Sequence, residues 1–125
     1  MGFPSPAHDY TEPPIDLIEH LIPDPDATFF YQVETDSMIN ALVARGSIVV
    51  VQRSATPENG SMVIARLNGI DYLRILQKNA YQTRLLPANS KYQPVTITKE
   101  MTVEILGVVT YVINSPITWR HVCIG

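Results

Sequence analysis

A mainly β domain with one or two short helices is predicted by three stretches of the sequence. Met62–Leu67 and residues 70–76 flank Asn68-Gly69, the strongest short-range hairpin signal, because both turn residues tolerate positive φ. Residues 47–51 are almost continuously apolar and β-branched, the pattern of a strand buried on both faces. Residues 102–113 form a long final strand in which Gly107 marks a bend or bulge.

Taken in order, the chain divides into a proline-rich arm, residues 1–26, and a β domain, residues 27–125. Pro4, Pro6, Pro13, Pro14, Pro23 and Pro25 are most of the ten prolines, and at that density they fix φ and remove ladder donors. An extended arm follows, with residues 1–12 expected to stay mobile or to pack on a neighbouring chain. Within it, residues 15–22 place Ile15, Ile18 and Ile22 on one helical face, and Pro23 stops the helix. So short a helix is unstable alone, so its apolar face must dock on the core or on a partner. Residues 27–33 read as a strand and 37–43 as a helical turn, which sets Ser37 at the junction. Serine there is an ordinary N-cap, but it is also a natural place for a nucleophile, with helix-start amides available to an oxyanion. Residues 81–86 and 95–98 are shorter strand candidates.

Composition sets the outer limits. A chain of 125 residues that is 46% hydrophobic buries one core. A net charge of −3 argues against direct nucleic-acid binding, which normally needs a basic patch. Cys123 is the only cysteine and fits a reducing compartment, and no apolar run approaches the ~18 residues of a membrane span. One cytoplasmic domain, with no cofactor and no metal, is the expectation.

The motifs narrow this. Asp36-Ser37-Met38, Gly46-Ser47-Ile48-Val49-Val50-Val51 with Arg53-Ser54, and Gly60-Ser61-Met62-Val63-Ile64-Ala65 follow one another in order. Leu86-Pro87-Ala88-Asn89-Ser90-Lys91-Tyr92 and Gly107-Val108-Val109 continue the series. Together they resemble the catalytic domain of the LexA/UmuD family, S24 serine peptidases that cleave themselves in the bacterial DNA-damage (SOS) response. The opening Gly2-Phe3-Pro4-Ser5-Pro6-Ala7-His8-Asp9-Tyr10 is similar to the UmuD branch in its processed form, since only Met1 stands where the scissile bond would lie. The resemblance implies a LexA/signal-peptidase-like fold of coiled, partly barrel-like sheets. It also implies a homodimer that assists a Y-family translesion polymerase of the UmuC type, with RecA filaments taking part. The rival expectations are an active self-cleaving peptidase and a decoy that binds host SOS proteins.

By the same resemblance, catalysis would use a Ser-Lys dyad, with Ser37 as nucleophile and Arg74 at the position of the general-base lysine. Burial can lower a lysine pKa far enough to make it a base. Arginine is effectively always protonated, and neutralising it near pH 7 costs on the order of 7 kcal/mol. Lys78 has the same strand parity but lies about 13 Å along an extended chain, and His8, His20 and His121 fall in the arm or tail. Thr35 stands where the family has Gly, and Ser47, Gln52 and Ser61 where it has Asp. Arg74 is expected to pair with Asp36 or Asp71 or, preferably, to turn out to solvent, because a buried unpaired guanidinium is costly.

Overall fold

The computed structural model describes residues 15–116. The extended arm expected over residues 1–12, together with His8, His121 and Cys123, lies outside them. Helix α1, Leu17–Leu21, starts at Asp16, whose carboxylate accepts from the amides of Ile18 and Glu19 at 3.1 and 3.3 Å. That cap satisfies two of the orphan donors of a helix only five residues long. A 3₁₀ turn, Pro25–Ala27, then leads into the strands.

The strands are β1 (Thr28–Gln32), β2 (Ile48–Gln52), β3 (Met62–Leu67), β4 (Ile70–Lys78), β5 (Thr83–Leu86), β6 (Val95–Thr96) and β7 (Val103–Ile113). They pair antiparallel in one sheet of order β1-β2-β7-β3-β4-β5-β6. The predicted hairpin closes as β3–β4, with Asn68 at φ 50° and Gly69 at φ 86°. Those two left-handed residues match the twist of the flanking strands.

Two core clusters lie against the sheet, and alternation along β3 feeds both. Val63 and Ala65 join Leu76 and Leu85, whereas Ile64 joins Val33, Met38, Val43, Val49, Val51 and Leu73. Strand β7, between β2 and β3, is irregular twice. Its register slips at Thr110 against β2 and at Leu106 against β3. Each slip inserts an unpaired residue, and bulges of this kind bend a strand and increase its twist. Gly107 beside the second slip is required by contact. A Cβ there would sit 2.6 Å from Val51 Cγ1 and 3.0 Å from the Gln52 carbonyl.

The bending has a consequence for the site. Strands β1 and β4 are separated by three others in the sheet, yet the segment after β1 reaches β4 and the segment after β5. The sheet is therefore coiled, as expected.

Of the two places expected for the apolar face of helix α1, the core takes little of it. Ile15, Leu17 and Ile18 are exposed, and only Leu21 and Ile22 are half-buried. Among the described residues, His20 touches the sheet, its ring 5.6 Å from that of Tyr111 with Nε2 3.2 Å from the hydroxyl. A helix this short has room for little apolar contact, so most of its greasy face points outward.

Candidate functional site

Ser37 lies on an excursion that leaves the sheet after β1 and returns at β2. The excursion is tied at its base, where the Val33 amide donates to Ser47 O at 2.8 Å and the Gly46 amide to Val33 O at 2.7 Å. The helical turn expected over 37–43 is only a 3₁₀ turn, Ile39–Ala41, ended by Leu42 at φ 66°. Ser37 does not cap it. Its amide donates instead to Thr35 Oγ1 at 3.3 Å, so the helix-start amides expected around the serine do not form.

Other elements fasten the excursion on three sides. The Ala88 amide donates to Ser37 O at 2.8 Å, and the Asn40 amide to Ala88 O at 2.9 Å. Asn89 Nδ2 donates to Asp36 O at 2.9 Å, and Tyr92 donates its hydroxyl to the Asp36 carboxylate at 2.7 Å. At the far end, Asn114 accepts from the Ser47 hydroxyl and donates to Leu42 O at 2.8 Å. Asn89 and Tyr92 stand in the motif at 86–92 but are not marked by the sequence as site residues, and Asn114 carries no signal at all, because single polar residues in loops have no periodicity.

Arg74 comes from β4, opposite Val63. Its Nη1 donates to Ser37 Oγ at 2.8 Å and to its neighbour Leu73 O at 2.7 Å. Both side chains are buried, Ser37 at 1% and Arg74 at 7% exposure. The expectation for Arg74 is thereby corrected: it meets no carboxylate among the described residues and does not turn to solvent. Asp71 is committed to Arg66 at 2.8 Å and Asp36 to Tyr92. The guanidinium carbon instead lies 5.2 Å from the Tyr72 ring and 5.7 Å from the Tyr92 ring. Aromatic faces attract a cation more strongly once it is desolvated, which offsets part of the burial cost. Arg74 Nε is buried and has no hydrogen-bond partner among the described residues.

Electrostatics follow from these contacts. Burial pulls the Arg74 pKa below its ordinary value, partly opposed by Tyr72, Tyr92 and Tyr31. The Tyr92 hydrogen bond holds the Asp36 carboxyl below its usual range, and the same bond raises Tyr92. Ser37 Oγ accepts from Arg74 and also from Thr35 Oγ1 at 2.9 Å. Both of its lone pairs are thus engaged, and neither partner is a base. Lys78 is exposed at the far end of β4, and His20 sits by Tyr111, so neither is a partner of Ser37. Among the described residues no group of three His, Cys, Asp or Glu side chains is placed to hold a metal.

A coiled antiparallel sheet with a buried serine on the excursion after β1 and a cation on β4 sets the class. A family model described as Peptidase S24-like matches residues 1–110, and the chain belongs to that family. Among its relatives, Protein SamA of Salmonella typhimurium is 40% identical over 113 residues, covering 90% of this chain and 78% of that protein. Protein ImpA of Escherichia coli is 37% identical over 119 residues, covering 90% and 77%. Protein MucA of Escherichia coli is 35% identical over 122 residues, covering 95% and 82%.

Proposed function

We propose that this chain is a UmuD′-like accessory subunit of a Y-family translesion polymerase of the UmuC type, and that its peptidase centre is inactive. It would work in the cytoplasm as a homodimer, together with RecA filaments, during the SOS response. Support comes from the ordered motifs across nearly the whole chain and from S24 family membership. Exposed apolar side chains at Ile15, Leu17, Ile18, Phe30, Ile48 and Ile113 supply surface for protein partners. Net charge of −3 favours protein rather than nucleic acid as that partner.

The single observation that carries the loss of activity is the Arg74 guanidinium, donating to Ser37 Oγ at 2.8 Å inside the protein. A serine nucleophile needs a neighbour that takes its proton, and a guanidinium only gives. Fluorophosphonate labelling followed by intact-mass measurement tests it. An unlabelled chain is expected; stoichiometric adduct on Ser37 would instead support an active peptidase.

A further inference from the structure

Three features around Arg74 fit ligand binding better than catalysis. First, the guanidinium is more than nine-tenths buried, meets no carboxylate among the described residues, and keeps Nε without a partner. A buried cation in that state favours an anion. Second, with both lone pairs of Ser37 Oγ occupied by Arg74 and Thr35, the serine can only donate its own proton. Ser37, 1% exposed and not on the cleft wall, therefore offers the guanidinium no negative charge. Third, Arg74 lines an open cleft of about 370 Å³, walled by Tyr31, Val33 and Thr35 on one side and by Ile70, Tyr72 and Leu73 on the other.

Each wall includes a strand edge that has no neighbour among the described residues. β1 pairs only with β2, and β4 pairs with β5 only from Ile75 to Lys78, which leaves Ile70 to Arg74 unpaired on that side. Such edges recognise extended backbone. Of the two carboxylates on the cleft, Asp71 is held by Arg66 through bonds of 2.8 and 3.3 Å, and Glu34 is exposed, where salt screens it.

We propose that this cleft binds the C-terminal carboxylate of an extended peptide, with the Arg74 guanidinium as the donor to it. The inference rests on the absence of cleavage proposed above, because an active serine would treat a bound peptide as substrate.

The test uses N-acetyl-trialanine as the free acid, the same peptide as its C-terminal amide, and inorganic phosphate. Each is titrated into the unaltered chain while the tyrosine ring resonances are followed by NMR. The acid is expected to bind at least about tenfold tighter than the amide, the usual return on a charge-assisted pair, and tighter than phosphate. Arg74→Gln, shown folded by circular dichroism, should abolish that preference. Equal binding of acid and amide, no binding of the acid, phosphate binding as tight as the acid, or an unchanged preference in folded Arg74→Gln would each overturn the proposal. The comparison of acid with amide needs no variant, so a misfolded Arg74→Gln leaves it decisive. Cleavage of the amide peptide would overturn the inactive-peptidase reading itself, whereas loss of acid preference without cleavage overturns only this inference.

Discussion

Arg74 shows why a change of one cation for another is not conservative. Lysine and arginine carry the same charge, but only lysine can lose its proton at a cost that burial can meet. Burial lowers the Arg74 pKa in the right direction, yet the side chain is stabilised where it is by donating to Ser37 and Leu73 and by the Tyr72 and Tyr92 rings. Every one of those contacts favours the protonated form. The serine is therefore held in place by the group that would have had to activate it. Tyr92 and Asp36 carry a residue-scale prediction. Asp36 has a folded pKa below the ordinary 3.8, so its contribution is present above that value and is lost as pH falls through the depressed pKa. Tyr92 has a folded pKa above the ordinary 10.0, so its contribution is present below 10.0 and is lost as pH rises through the raised pKa. Tyr92→Phe should lower stability at neutral pH, because it removes the hydrogen bond to Asp36. Urea unfolding of parent and variant should converge once pH falls through the depressed Asp36 pKa or rises through the raised Tyr92 pKa, where the parent loses the bond that the variant lacks. A difference that stays constant across the whole range would contradict the assignment.

At the scale of elements, local chemistry made some strands legible and left others blurred. The Asn68-Gly69 turn fixes the register of β3 on β4 by itself, which is why that hairpin can be read from the sequence. The β-branched run of β2 is equally plain. Its partners are not, because pairing such as Val50 with Tyr111 joins residues far apart in the chain, and no local pattern records it. Residues 37–43 have a helical look, but Leu42 in the left-handed region, held by Asn114, ends the turn after three residues. Gly107 was legible as a bend, while its reason, the close approach of β2, belongs to tertiary packing. Gly107→Ala should destabilise the domain by about 1–3 kcal/mol, as overpacking does, because its Cβ would overlap Val51 and crowd the Gln52 carbonyl. Thermal unfolding of the variant at the parental temperature would argue that β2 and β7 lie farther apart.

For the whole molecule, the serine and its cation could both be named from sequence, because they sit in motifs with fixed order. Their juxtaposition and the fate of the guanidinium could not. Polarity alone pointed Arg74 outward, whereas three tyrosines and a coiled sheet create an interior that holds it. The exposed apolar side chains of α1 and of Phe30, Ile48 and Ile113 give a whole-molecule prediction, that the chain is a stable homodimer. Sedimentation at micromolar concentration should give about twice 14.0 kDa, and a 14.0 kDa species alone would contradict it. The account stands most directly on peptide cleavage. A supplied Cys-Gly-Phe-Pro-Ser-Pro peptide is incubated with the parent, with Arg74→Lys and with Ser37→Ala, and the products are weighed by mass spectrometry. Loss of the base in serine hydrolases costs roughly 10⁴–10⁶ in rate, so the parent and Ser37→Ala should give no product, while Arg74→Lys should give a trace. Efficient cleavage by the parent that disappears in Ser37→Ala would contradict the account.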